Sequence, residues 1–317
     1  MNCIEDGWMR KVGIMSMQRI ANYGSFLQAY ALKQLIEELG CKVEFVDYHV
    51  GAPVITENAD SKNKFVRKVE KGLETFQYQA PFAHKLSFIR YKQTFSKKYM
   101  PLLGITDEMN YNPTLDCLVI GSDEVFNCIQ KNSNVGYSLE LFGKDNHAKR
   151  LLTYAASFGN TTLEKLKKYK KTEEVGALLK KFDAISVRDA NSGTIVERLT
   201  EKEPVYNLDP VLTYDYMSCC DKIPQVQNNE KYLILYAYAG RISNEEADWI
   251  SDYAKKKKLK VYAIGGIQKC ADRFVDCSPF EVLAYFRNAE EVITDTFHGS
   301  IFSVITHRPF TTLIRKS

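Results

Sequence analysis

Glu291-Val292-Ile293-Thr294-Asp295-Thr296-Phe297-His298-Gly299-Ser300-Ile301-Phe302-Ser303-Val304-Ile305 decides how this chain reads. Its first four residues form a short apolar run typical of a buried strand, and the run from Ile301 reads as the start of a helix. The corner between them holds a carboxylate, two hydroxyls, an imidazole and a glycine. Open α/β sheets place ligands at such strand-to-helix corners, and a helix N-terminus suits an anion. Of the five histidines, His298 is the one in such a corner. His298, Asp295, Thr296, Gly299 and Ser300 are therefore the first candidate site.

Working outward, the same strand–helix alternation covers most of the chain. Lys11 to Met17 reads as a strand. Ser25 to Leu39 reads as a helix, with Leu27, Ala31, Leu35 and Leu39 on one stripe and Gly40 as its stop. Lys42 to Tyr48 is a second strand. Strand-like runs return at Cys117–Gly121, Leu151–Ala156, Ala184–Val187 and Pro204–Leu208, with helices predicted over 162–181 and 190–199. Residues 215–230 mix Cys, Pro, Gln and Asn without periodicity and mark a boundary between domains 1–220 and 221–317. Beyond it come strand Tyr232–Tyr238, helix Glu245–Lys257, strand Lys260–Ile264, helix Pro279–Asn288, the opening stretch, and strand Phe310–Ile314. This pattern predicts an α/β fold of two Rossmann-like domains facing a cleft, each a parallel sheet with helices on both faces. The second domain stops directly after a strand, so it is expected to be truncated or incomplete.

A helical insertion, about 51–112, interrupts the first domain. Segment 60–98 carries ten Lys/Arg against three acids, with Phe88, Tyr91 and Phe95 at helical spacing. It reads first as a solvated amphipathic helix. The alternative is a surface for an anionic lipid-linked substrate or for peripheral membrane contact. The net charge of +4 does not argue for nucleic acid, and 45% hydrophobic residues exclude a disordered chain. No run of about 18 apolar residues or signal-peptide core is found, which predicts a cytoplasmic protein, or one at the inner face of the membrane. Eight scattered cysteines without zinc spacing read as reduced thiols, and no metal or cofactor is expected.

Other corners carry chemistry too. Asn22-Tyr23-Gly24-Ser25, with Gln28 one turn on, lies at a helix start and reads equally as a ligand loop or as a capped turn. Gly121-Ser122-Asp123-Glu124 follows a very apolar strand, and its acids suit hydroxyl binding or general-base work. Arg188 ends another strand, where a guanidinium could grip a carboxylate or phosphate or simply pair locally with Asp189. Asp209-Pro210 reads as a turn. Gly265 and Gly266 follow strand 260–264 and could line the same cleft as His298.

Taken in order, these motifs resemble the polysaccharide pyruvyl transferase family. The matching pieces are Lys11-Val12-Gly13-Ile14, Asn22 through Leu32, Val46-Asp47-Tyr48, Gly121 through Asn127, Tyr154 through Gly159, Ser186 through Asp189, Leu208 through Leu212, and Thr294 through Ser300. The resemblance implies a GT-B-like arrangement and transfer of the enolpyruvyl unit of phosphoenolpyruvate onto a sugar or lipid-linked oligosaccharide. His298 would contact the phosphate or act as the acid, and Arg188 would bind the donor's carboxylate or phosphate. Asp123, with Glu124 second and Ser122 beside it, would orient or deprotonate the acceptor hydroxyl. Asn22, Tyr23, Gly24 and Gln28 would line the acceptor side. Many members carry an Arg two residues before the histidine. Here that position is Thr296, so the cation must come from elsewhere, with Arg241 and Lys269 as candidates. A nucleotide-sugar glycosyltransferase of the same architecture, and a non-catalytic glycan- or phosphate-binding homologue, are the rival readings.

Overall fold

A computed structural model describes residues 9–54, 75–130, 134–226 and 230–315. Part of the basic insertion, including Lys62, Lys64, Arg67, Lys68 and Lys71, lies outside the described residues. The chain forms two compact units. Unit 1 comprises Met1–Ile20, Ser25–Ala59 and Met100–Tyr214, and unit 2 comprises Ala21–Gly24, Asp60–Tyr99 and Asp215–Ser317.

Unit 1 is built on six strands: β1 (Lys11–Met15), β2 (Lys42–Phe45), β3 (Cys117–Asp123), β4 (Arg150–Ala156), β5 (Ser186–Val187) and β6 (Val205–Tyr206). They lie in the order β2-β1-β3-β4-β5-β6, and every neighbouring pair is parallel. After their first residues β1 and β3 are buried. That explains their unbroken apolar sequence, since a parallel sheet is covered on both faces. Beside the sheet, Phe126, Phe142, Phe158 and Phe182 anchor one hydrophobic core, with Phe126 and Phe142 stacked at 4.8 Å. The chain leaves β1 for β2 on one side and then returns to β3 on the other. The switch point therefore falls between the C-terminal ends of β1 and β3, the position where open α/β sheets bind ligands.

Unit 2 repeats the plan with β7 (Tyr232–Tyr236), β8 (Lys260–Ile264), β9 (Arg273–Phe274), β10 (Glu291–Thr294) and β11 (Phe310–Thr312). The order is β11-β10-β7-β8-β9, again all parallel. Its switch point lies between the ends of β7 and β10, and hence beside the opening stretch. Helix starts are well marked. Ser243 and Ser278 each make a capping box, with Glu246 and Glu281 respectively. The two Rossmann-like sheets are those the alternation predicts. The two-residue strand β9 had no readable signal, and the helix expected over 162–181 is two, Leu163–Lys168 and Thr172–Leu179.

The described part of the basic insertion departs from the expectation. Helix Phe82–Tyr99 groups with unit 2 and not with the first domain. Its Phe88, Tyr91 and Phe95 are buried. Phe88 meets Phe274 at 5.6 Å edge to face, and Tyr91 and Phe95 pack on Tyr23 at 5.3 and 5.6 Å. The aromatic stripe thus supplies core, which the charge-rich remainder of the helix conceals in sequence. No described helix is long and apolar enough to cross a membrane. Six cysteines among the described residues are free thiols. Cys41 is disulfide-bonded, in contrast to the all-thiol expectation.

Candidate functional site

In unit 1, the switch point between β1 and β3 carries a buried polar cluster. Ser16 follows β1 and donates to the carbonyl of Ser122 at 3.0 Å. Gln28, on helix Tyr23–Glu38, donates to Ser16 Oγ at 3.0 Å and to the carbonyl of Ser25 at 3.1 Å. Ser25 in turn donates to Asp123 Oδ2 at 2.9 Å. Asp123, at the very end of β3, has φ 77°, a conformation few non-glycine residues adopt. The Glu124 amide donates to its Oδ1 at 2.9 Å, so both carboxylate oxygens are held.

Arg188, at the end of β5, completes the cluster. Its Nη1 donates to Asp209 Oδ2 at 2.5 Å, and its Nη2 reaches Asp123 Oδ1 at 3.3 Å. The Arg188 side chain is 8% exposed and that of Asp209 is 0%. Burial works against the guanidinium charge, but the Asp123 and Asp209 carboxylates outweigh it and drive its pKa up. One cation thus serves two carboxylates. Among the described residues these pairings set two carboxylates against one guanidinium, which suits hydroxyls better than a phosphate. The pairing is not the local one with Asp189. Asp189 instead caps helix Ala190–Thr200 and accepts from Ser157 and Ser192. Asp209 caps a one-turn helix through Val211 N, as read, and also anchors Arg188. Glu124 accepts from Asn127 at 2.8 Å, and its charge also acts on Arg188.

In unit 2, β10 delivers Asp295 and Thr296 to the switch point. Thr296 is the N-cap of helix Phe297–Ile305 and accepts from Gly299 N at 2.9 Å. Threonine at this position therefore builds the helix start, which a longer basic side chain would not do. Gly299 is dictated by packing, because a Cβ there would lie 2.1 Å from Thr294 Oγ1. The Ser300 hydroxyl pairs with Thr312 of β11 at 2.8 Å.

His298, one turn into the corner, lies against Gly24. A Cβ on Gly24 would fall 2.4 Å from His298 Nδ1 and 2.9 Å from its Cβ. Asn22 Oδ1 accepts from Gly24 N at 2.7 Å, and its amide donates to the Tyr238 hydroxyl at 2.8 Å. The buried Tyr23 hydroxyl donates to the Cys277 carbonyl at 2.9 Å. Asn22, Tyr23 and Gly24 thus belong with His298, whereas Gln28 belongs with the unit 1 serines. The expected single acceptor-side group is divided.

The Asp295 side chain is buried. Arg315 Nε lies 3.3 Å from its Oδ2, and Arg241 Nη1 3.9 Å from the same atom. Desolvation raises the Asp295 pKa, although Arg241 and Arg315 oppose the shift. Arg241 also rests on the Tyr238 ring at 4.5 Å, and Arg315 pairs with Glu246 at 2.7 Å. The sequence reading missed Arg315. The parallel register, which sets Thr294 beside Thr312, is the signal that places the segment after β11 beside Asp295. Lys269, the other candidate cation, pairs with Asp248 at 3.0 Å.

A small cleft, with room for about one water, opens at this switch point, and all of its lining residues belong to unit 2. Asn22, Tyr23, Tyr91, Lys92, Tyr238 and Thr296 are among its lining residues, together with Tyr236. Gly265 lines it too, at φ 85°. Gly266 lies behind, where a Cβ would be 2.4 Å from Ala237 O and Ala239 N. No group of three metal-ligating side chains is found among the described residues.

The family model for polysaccharide pyruvyl transferase matches residues 22–317. No curated protein matches the chain. Among solved structures, a putative UDP-N-acetylglucosamine 2-epimerase from Listeria monocytogenes is similar at 8% identity and TM-score 0.48, over 98% of this chain and 80% of that one. UDP-GlcNAc 2-epimerase from Methanocaldococcus jannaschii is similar at 12% identity and TM-score 0.46, over 96% and 83%. An E. coli heptosyltransferase is similar at 11% identity and TM-score 0.38, over 95% and 88%. The family match spans nearly the whole chain, and the chain belongs to the polysaccharide pyruvyl transferase family.

Proposed function

We propose that this member of the polysaccharide pyruvyl transferase family transfers the pyruvyl unit of phosphoenolpyruvate onto two hydroxyls of a sugar, closing a ketal in capsular, exopolysaccharide or cell-wall glycan biosynthesis. The observation that carries the reading is the unit 2 corner. There His298 stands at the N-terminal turn of a helix, packed on Gly24, beside a cavity at the sheet's switch point. A helix N-terminus and a neighbouring cation suit a small anion with a phosphate and a carboxylate.

In this reading His298 protonates the methylene carbon of phosphoenolpyruvate, leaving a cation at C2. A sugar hydroxyl adds to C2 and gives up its proton to Asp123. The second hydroxyl then displaces phosphate from C2, and its proton leaves with the phosphate. One proton enters at carbon and one departs on phosphate, so the two hydroxyl protons balance the reaction. Arg188 is committed to Asp123 and Asp209, and it fixes the base in place. Ser25 holds the other Asp123 oxygen. The acceptor is a sugar or a lipid-linked oligosaccharide, and the reaction belongs in the cytoplasm, where phosphoenolpyruvate is made.

The test is phosphate release from phosphoenolpyruvate in the presence of candidate lipid-linked or nitrophenyl sugars. His298→Ala should abolish release while circular dichroism shows an intact fold. Near-normal turnover in that variant removes the assignment. Thermal stabilisation by nucleoside diphosphates, without stabilisation by phosphoenolpyruvate, would favour a nucleotide-sugar transferase instead.

A further inference from the structure

A larger cleft, of about 280 Å³, opens at the C-terminal ends of β7 and β8, on the other side of β7 from the His298 corner. Its volume lies close to the lower end of small-molecule sites, about 300–1,000 Å³. Its walls come mainly from three segments of unit 2: 240–244 after β7, 267–269 after β8, and 77–79 of the basic insertion. Tyr78 packs on Gly240, which has φ 77°, and a Cβ there would lie 2.8 Å from Tyr78 Cε1. The glycine thus lets the insertion close against the β7 loop.

The lining is rich in carboxamides: Gln77, Gln79, Asn244 and Gln268. Gln268 is 3% exposed. Its Nε2 donates to the carbonyls of Ala237 and Tyr238, at 3.2 Å each. These two bonds fix the carboxamide, with its nitrogen on the β7 loop and its oxygen turned the other way. No donor among the described residues meets that oxygen. A buried acceptor is costly to leave unmet, so Gln268 holds a fixed, unfilled acceptor at the cleft.

The charges decide what class of ligand fits. Lys269 is the one charged residue in the lining, and it is paired with Asp248 at 3.0 Å. The helix start at Ser243 is closed by its own capping box with Glu246. An anion therefore finds both of its natural attractions engaged. An apolar ligand would leave four carboxamides unmet. Carboxamides donate and accept at once, as the neighbouring hydroxyls of a sugar do.

We infer that this cleft binds one neutral pyranose ring of a glycan, with Gln268 Oε1 accepting from a sugar hydroxyl and the other three carboxamides pairing around the ring. The inference goes beyond pyruvyl transfer and does not depend on it, because the ring has only to bind. It gives the insertion a part in recognition through Gln77, Tyr78 and Gln79.

The test titrates the full chain, without phosphoenolpyruvate, with methyl glucoside, methyl galactoside, methyl mannoside and N-acetylglucosamine. Binding is followed through side-chain amide signals in NMR. At least one sugar should shift the signals of Gln77, Gln79, Asn244 and Gln268 with a Kd on the order of 1 mM, the affinity that about 12 heavy atoms give at ordinary ligand efficiency. Gln268→Met should weaken that sugar about 3- to 10-fold, the effect of losing one hydrogen bond. Gln77→Ala and Gln79→Ala, made together at exposed positions, should do the same and leave the buried anchor alone. Lys256→Ala, exposed on the helix that begins at Asn244, should bind as wild type. Glucuronate should bind no tighter than methyl glucoside. The inference is overturned if none of the four sugars shifts these signals at about 20 mM. Wild-type affinity in the Gln77/Gln79 double variant overturns it too, as does tighter binding of glucuronate or of uridine. Phosphate release from phosphoenolpyruvate is read separately, so either reading can fail while the other stands.

Discussion

Replacing Gly24 with alanine probes His298 without touching it. The methyl carbon would sit 2.4 Å from His298 Nδ1, 2.5 Å from its Cγ and 2.9 Å from its Cβ. Ordinary contact needs roughly 3.4–4 Å, so the imidazole must retreat by about 1 Å. The clash reaches the His298 Cβ, so a rotation of the ring alone does not relieve it. A displacement of about 1 Å at a reacting group costs on the order of 100-fold in rate. Stability should change much less. Overpacking costs about 1–3 kcal/mol, while alanine gains about 1 kcal/mol over glycine within a helix such as Tyr23–Glu38. The expected result is a kcat for phosphate release about 100-fold down, with a net destabilisation of roughly 0–2 kcal/mol by urea titration. A shifted His298 ring signal in NMR should accompany it. Full activity with the His298 signal moved would refute a catalytic role for that imidazole. Full activity with the signal unmoved would refute the packing argument itself.

Arg188→Met removes the guanidinium that pairs with Asp123 and Asp209, leaving two carboxylates in a buried setting. The loss should be about 3–5 kcal/mol, read as a lower urea midpoint, because breaking a buried pair from one side strands the partner charge. A loss under about 1 kcal/mol would mean that the cluster is far better hydrated than its burial indicates. Asp295→Asn tests the opposite sign of linkage. Desolvation raises the folded Asp295 pKa above its ordinary value of 3.8, so the fold holds the protonated form more tightly than the unfolded chain does. Stability from this group is fully present below pH 3.8 and is lost as the pH rises through the folded value. Wild type minus Asp295→Asn stability should therefore decline as pH climbs from about 3.8, and a rising difference in thermal scans would overturn the assigned direction.

The fold was readable because its strands announce themselves. Val12–Met15, Leu118–Ile120 and Leu233–Tyr236 are buried on both faces and so appear as continuous apolar runs. Polar residues that directly follow such runs, Ser122-Asp123 and Asp295-Thr296, stand out because a core has no use for them. What sequence could not supply is partnership over distance. Arg188 lies 65 residues from Asp123 and 21 from Asp209, and the sequence shows neither pairing, only a ligand role for the guanidinium or a local pair with Asp189. Helix Phe82–Tyr99 posed the same problem. Its mixture of lysines and aromatics is equally compatible with either unit or with a lipid surface, and only the packing of Tyr91 on Tyr23 and Phe274 assigns it.

Each unit places its polar cluster at the one point where its strand order reverses. In unit 1 that point lies between β1 and β3, and it collects two carboxylates, one guanidinium and the serines that hold them. In unit 2 it lies between β7 and β10, and it collects an imidazole, a helix N-terminus and the Asp295 carboxylate with Arg241 and Arg315 beside it. The charges differ in sign, and the difference follows from what each loop contains. An anionic cluster repels phosphoenolpyruvate and accepts hydroxyl protons. A site with a cation and a helix N-terminus attracts phosphoenolpyruvate and can deliver a proton to it. Under the proposed pyruvyl transfer, the same electrostatics favour the unit 2 corner for the donor. That reading predicts that affinity for phosphoenolpyruvate, measured by calorimetry, falls with added salt.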